Sequence, residues 1–209
     1  ETKGTFVHTA ATPKIIYDFY GFPEEMYKIQ YGCKGSPEYA AMAKEIVKKT
    51  NVQPDNSWGL DHGAWTILKH IYPMADIPVF QMSIDYSLSP QQHYEIAEEL
   101  KSLRKKGVLV IGSGNIVHNL GKVDFSNPNA KFDWAIEFDE TVKKFLGNSD
   151  HKLLINYKNI SGSKFAVPTN EHYLPLLYSI GLQDKNEELL HIYESVEHGS
   201  ISMRCVKIG

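Results

Sequence analysis

Cysteine is scarce in this sequence: Cys33 and Cys205 are the only two among 209 residues. They lie far apart and form no C-x-x-C pair, which excludes a zinc ribbon, a dithiol redox motif and a disulfide-stapled scaffold. Two free thiols in a reducing cytoplasm is the reading this favours. There is no H-E-x-x-H and no zinc-finger spacing, so any metal site must be assembled by the fold from distant segments. No apolar run approaches the roughly 20 residues that span a bilayer. Basic clusters are no longer than Arg104-Lys105-Lys106, and the net charge is -3, which argues against a nucleic-acid surface. No signal peptide and no initiating Met open the chain. The start, ETKGTFVHTA, reads like the middle of a protein, and residues are expected upstream of it. Repeats, low-complexity tracts and linkers are absent, so residues 1–209 are expected to form one domain.

What is present is ordinary for a globular chain, with 42% hydrophobic and 22% charged residues. Thr5 to Thr9 predicts a strand. Phe22 to Tyr31 has helical spacing after Gly21. Ser36-Pro37-Glu38 supplies an N-cap, a Pro at the first helical position and an acidic first turn, predicting a helix to about Lys49. His62 to Tyr72 is expected to be helical, and IPVFQMSI (Ile77 to Ile84) a buried strand. Ser89-Pro90 repeats the cap, and Ile96, Leu100 and Leu103 share one face of a helix that Gly107 stops. Val108 to Ile111 predicts the next strand and Phe132 to Leu146 another helix. A helix over Tyr173 to Ile180 is capped by Thr169 or Asn170. Leu189 to Ser195 and Ser200 to Ile208 predict an antiparallel pair. Strands alternating with helices indicate an α/β domain: a mixed, mostly parallel central sheet with helices on both faces.

Three stretches carry candidate chemistry. VLVIGSGNIVHN (Val108 to Asn119) runs from apolar residues into glycines, as a nucleotide turn does. Val117, however, fills the place where the dinucleotide fingerprint needs its third glycine. Either the glycines only turn the chain and His118 packs, or His118 is delivered to a site beyond a strand end, where α/β proteins bind ligands. SWGLDHGAW (Ser57 to Trp65) crowds Trp58, Gly59, Asp61, His62, Gly63 and Trp65 together. The plain alternative is that Asp61 caps a helix and His62 is a surface residue. PTNEHYLP (Pro168 to Pro175) sets Glu171 beside His172 at a helix start, as a metal ligand, a proton handle or a surface pair. His70, His93, His151 and His191 are expected on solvated faces; His8 and His198 fit either setting.

Taken together, GFPEEMY, SWGLDHGAW, YPMADIPVFQMSID, SGNIVHN and PTNEHYLPLLY resemble the 4,5-DOPA extradiol dioxygenase-like family. That family belongs to the class III extradiol dioxygenases with the ring-opening LigB-type fold. The resemblance runs through nearly the whole chain, to the closing SISMRCVKIG. It implies a further H-G-S-P segment and an S-A-H-W strand end, each bearing a metal-binding His; neither occurs here, and both are expected before Glu1. It implies that His172 is a metal ligand, that His118 is a catalytic acid/base beside the metal and a second candidate ligand, and that His62 faces the substrate and oxygen. Relatives read N-P-T-P-E-H-Y where this chain has Val167 to Tyr173 as VPTNEHY, a departure at a place the resemblance ties to substrate choice.

The activity so implied is extradiol cleavage of a catechol such as DOPA by O2 at non-haem Fe(II). Neutral imidazoles and a carboxylate leave open positions on iron for the catechol and dioxygen. Trp58, Tyr173 and Glu171 are expected to contact the substrate, although core packing explains the rings equally well. Zn(II) competes for the same imidazoles. A zinc-dependent hydrolase and a non-catalytic binding protein on the same scaffold stand as alternatives. Homo-oligomerisation is left open.

Overall fold

The computed structural model describes residues 1–209. They form two compact units, Glu1–Ser87 and Leu88–Gly209.

In the first unit, β1 (Thr5–His8) and β2 (Val52–Asp55) pair in parallel, Thr5 opposite Val52 and His8 opposite Asp55. Between them runs α1 (Pro37–Ile46). Pro37 opens it as the sequence predicts, though the Ser36 side chain makes no cap bond. The predicted helix after Gly21 is a short 3-10 turn, Glu24–Lys28, with no buried residue to anchor anything longer. The helix α2 (His62–Ile71) buries Trp65 and Leu68, which join Phe19, Tyr31, Cys33 and Leu60 in one cluster. The Trp65 indole N–H donates to the Ile16 carbonyl at 3.0 Å. The predicted strand Ile77–Ile84 is an extended segment held by single bridges, Val7 to Met82 and Gly35 to Val79, rather than by a ladder.

In the second unit, α3 (Pro90–Arg104) packs on α7 (Leu174–Gly181). Ser89 and Gln92 close a full capping box at the start of α3, which satisfies backbone N–H groups that a helix leaves free. The buried face holds Ile96, Leu100 and Leu103 as predicted, and also His93. His93 is fully buried, not solvated, with its Nδ1 3.0 Å from the Tyr178 hydroxyl; this contact lets a polar ring sit in the core. His151 is likewise drawn in, between the Tyr94 hydroxyl and the Gln183 amide oxygen. Further along come α4 (Asp133–Gly147), α5 (His151–Ile155) and α6 (Ser163–Ala166). Then β3 (Leu189–Tyr193) pairs antiparallel with β6 (Cys205–Ile208), and β4 (Val196–Glu197) with β5 (Ile201–Ser202).

Helix and strand are mixed throughout, in keeping with the α/β class. Regular pairing is confined to three two-stranded ladders, one parallel and two antiparallel, so the ladders do not form one continuous parallel sheet. Val108–Ile111 is extended but unladdered, with Leu109 64% and Ile111 41% exposed. Its apolar run predicts a buried strand; no neighbouring strand pairs with it here. No helix is long and apolar enough to cross a membrane.

Leu177 is fully buried on α7, so Leu177→Ala is expected to destabilise the protein by about 2–5 kcal/mol, read as a lowered urea midpoint. A second expectation concerns acid. The Arg104 guanidinium grips Glu187 with two bonds, at 2.7 and 2.6 Å. Those bonds, with the Asp184 backbone N–H, hold the Glu187 carboxyl down at about 2. A depressed carboxyl stabilises the fold above its unfolded value, near 4.5, and that contribution is lost as pH falls toward 2. Glu187→Gln should therefore shallow the acid limb of a stability-against-pH curve in that window. Glu194, also held at about 2, keeps the limb from flattening completely.

Candidate active site

The DHG stretch of the first unit resolves into a cap and a held histidine. Asp61 caps α2, accepting the Ala64 N–H at 2.9 Å, as the plain reading expects. Gly59 lies so close to the Lys14 carbonyl that a Cβ would come within 2.1 Å of that oxygen. His62 is the first residue of α2 and turns toward Asp18. Its backbone N–H donates to Asp18 Oδ1 at 2.9 Å, and its Nδ1 lies 2.9 Å from the same oxygen, close but poorly aligned. Partial burial pushes the Asp18 carboxyl up, but the bonds from His62 outweigh it and the net direction is down. Trp58 meets His8 edge-on, with centroids 5.5 Å apart. The indole nitrogen of Trp58 and Nδ1 of His8 are both buried without a partner.

In the second unit, His118, Glu171 and His172 come together. One donor atom from each lies within 4.8 Å of the others. What brings two distant segments together is backbone. Asn115 N–H donates to the His172 carbonyl at 2.9 Å, and His118 N–H to the Ala166 carbonyl at 2.9 Å. His118 also forms a single bridge with Ile201 of β5. The glycines of SGN make this approach possible. A Cβ at Gly114 would sit 2.2 Å from the His172 oxygen, and one at Gly112 2.4 Å from the Pro175 oxygen. Neither phosphate binding nor an unusual turn explains these glycines; the lack of a side chain does.

Asn115 sets the tautomer of His172. Its amide N–H donates to the Ser202 carbonyl at 2.7 Å, so the amide oxygen faces His172 Nδ1 at 3.1 Å. That oxygen can only accept, so Nδ1 carries the proton and Nε2 keeps its lone pair for a metal. Glu171 is steadied by the Thr169 hydroxyl at 2.7 Å. Two imidazoles and a carboxylate, half-buried and close together, are donors of the kind that suit a divalent transition metal. Glu171, expected at the substrate, thus stands among the donors.

Tyr173 does not fit the role expected of it. It is fully buried, its hydroxyl donates to the Leu154 carbonyl at 3.0 Å, and its ring packs on Tyr157 at 4.4 Å. Burial drives its hydroxyl pKa well up. It is core, with no face left for a substrate. His62 and Trp58 belong to the first unit and the donor set to the second. Asn115 escaped the sequence reading, although it stands inside SGNIVHN. A lone amide between a glycine and an apolar run was its only signal.

Asn115→Ala is expected to weaken binding of Co(II), titrated calorimetrically, by about 10–100-fold. Asn115→Asp, which keeps an acceptor oxygen, should restore part of it. Gly114→Ala should lose binding more severely and lower the urea midpoint as well.

The chain's similarities can be set against this geometry. Residues 2–204, through both units, match the family described as the catalytic LigB subunit of aromatic ring-opening dioxygenase. The 4,5-DOPA dioxygenase extradiol of Escherichia coli K12 is 41% identical over 212 residues, covering 100% of this chain and 78% of that protein. The protein of the same name from Beta vulgaris is 35% identical, covering 99% of this chain and 78% of its own. An uncharacterized E. coli K12 protein of known crystal structure superposes with a TM-score of 0.86 at 38% identity, over 99% of this chain and 81% of that one. The chain therefore belongs to the LigB family, the ring-cleaving oxidoreductases whose catalytic subunit opens aromatic rings.

Proposed function

We propose that this protein is a non-haem Fe(II)-dependent extradiol dioxygenase that opens the ring of a catechol such as DOPA and inserts both atoms of O2. The proximity of His118, Glu171 and His172 carries this reading. Bound Fe(II) would supply a Lewis-acidic centre with open positions where catechol oxygens and dioxygen meet. Zn(II) would compete for the same donors without the redox chemistry.

The roles of the two histidines follow from their rings. His118 and His172 stack at 3.5 Å, with planes 11° apart. An imidazole lone pair lies in its ring plane. Two stacked rings therefore aim their lone pairs side by side rather than at one point, and a single ion is well served by one of them. His172, oriented by Asn115 and next to Glu171, is assigned with Glu171 to the metal. His118 is assigned to the proton. It would take a proton from a catechol hydroxyl and return it later in the reaction. His62, beside Asp18 but with its Nδ1 poorly aligned to that carboxylate, is assigned to hydrogen-bond the catecholate or dioxygen. Trp58 is assigned to the aromatic wall.

The test is oxygen uptake by full-length protein loaded with Fe(II) in the absence of air, then given catechols including DOPA. Uptake matched by a yellow ring-opened semialdehyde is expected. Iron bound with no uptake would overturn the reading. His118→Ala is expected to keep its metal and lose about 10²–10⁴-fold in turnover. Loss of the metal in that variant would instead make His118 a ligand.

A further inference from the structure

Behind the donor set lies a polar patch of core. Ser200, Ser202 and Asp139 are buried, and the Arg204 side chain is almost wholly so. Apolar residues of similar size would fill such a space without the cost of desolvating an ion pair. What these groups hold is the short strand β5 and the serine before it. The Ser202 hydroxyl donates to Asp139 Oδ1 at 2.6 Å, and Arg204 Nε donates to both oxygens of Asp139, at 3.2 and 3.1 Å. The Ser202 N–H donates to the Val117 carbonyl at 2.9 Å, and the Ser200 hydroxyl to the Asn119 carbonyl at 2.9 Å. The strand thus lies along the stretch that carries Asn115 and His118.

One atom of this strand decides which way an amide points. The Ser202 carbonyl takes the Asn115 amide N–H at 2.7 Å, which leaves the amide oxygen for His172 Nδ1 at 3.1 Å. The two ends of an asparagine amide are alike in shape and opposite in hydrogen bonding. Rotated by half a turn, the amide would offer its N–H to the His172 ring. Nδ1 would then accept, and the proton would sit on Nε2, the nitrogen that a metal needs bare. The same rotation would set the amide oxygen against the Ser202 carbonyl, acceptor to acceptor. The place of that one carbonyl therefore selects the tautomer of a histidine in another segment.

We propose that Ser202 is a positioning residue for His172. Its hydroxyl, anchored on Asp139, fixes its carbonyl, and the carbonyl fixes the Asn115 amide that keeps the His172 proton on Nδ1. The inference rests on the assignment of His172 to a metal, but its test includes a readout that needs no metal.

The test uses the full-length protein with isotopically labelled histidine ring nitrogens, above the pH at which the ring is protonated. In the metal-free wild type, NMR signals of His172 should be those of a single Nδ1–H tautomer. Ser202→Ala removes one hydroxyl and should draw the two ring-nitrogen signals toward each other as the tautomers mix. Ser200→Ala removes a buried hydroxyl from the same segment, one that serves Asn119 instead, and should leave the tautomer in place. Co(II) affinity, titrated calorimetrically, should fall roughly tenfold or less in Ser202→Ala, the low end of what the outer partners of a metal ligand contribute. In an Asn115→Ala background the same substitution should cost no further affinity, because the path is already cut. Three results would each overturn the proposal: a tautomer unmoved by Ser202→Ala, an equal change from Ser200→Ala, or an equal loss of affinity in both backgrounds. Mixed tautomers in Ser202→Ala, in a protein whose wild type binds no Co(II), would uphold the positioning and overturn only the metal reading. Tight Co(II) binding with the tautomer unmoved by Ser202→Ala would do the reverse.

Discussion

The donor set depends on one close approach, that of the backbone at Gly112 and Gly114 to the carbonyls of Pro175 and His172. No regular ladder joins these segments. They are held by single backbone bonds, Asn115 to His172 and His118 to Ala166, made across a gap that no side chain could share. Everything the second unit can do at this place follows from that contact. It sets His118 face to face with His172, and it puts Asn115 within reach of the ring it orients.

A chain of polar contacts behind the site keeps it in place. Arg204 is almost wholly buried among carboxylates, pairing with Asp139, Glu140 and Glu194. Asp139, on α4, also accepts the Ser202 hydroxyl at 2.6 Å. Ser202, on β5, receives the Asn115 amide on its carbonyl and gives its own N–H to Val117. Orientation thus passes from the buried Arg204–Asp139 pair to a strand, from the strand to an amide, and from the amide to an imidazole. A buried cation is tolerated only when paired, so this cluster has little freedom to rearrange. Rigidity of this kind suits a site that must keep one tautomer.

The first unit has a different character. Three of its buried nitrogens lack a partner: His62 lies beside Asp18 with a poorly aligned ring, and the nitrogens of Trp58 and His8 make no bond. Buried polar groups are ordinarily satisfied, so such orphans mark places where structure alone does not account for the residues.

The sequence by itself determined the helices that carry their own punctuation. Ser89, Pro90 and Gln92 start α3, Asp61 starts α2, and apolar spacing marks the buried stripe of α3, because caps and periodicity act within a few residues of where they are written. It also singled out His118, Glu171 and His172 through long motifs. Only the tertiary structure decided what those residues face. Asn115 is turned toward His172 through Ser202, and Tyr173, which belongs to the same motif as His172, lies in the core with its hydroxyl on the Leu154 carbonyl. Val108–Ile111 and Ile77–Ile84 have the composition of buried strands, yet a strand is completed by its neighbours, and pairing is not written in the segment that waits for it. Contacts between residues far apart in the chain have no local signature, which is why the donor set could be suspected from the sequence but assembled only by the fold.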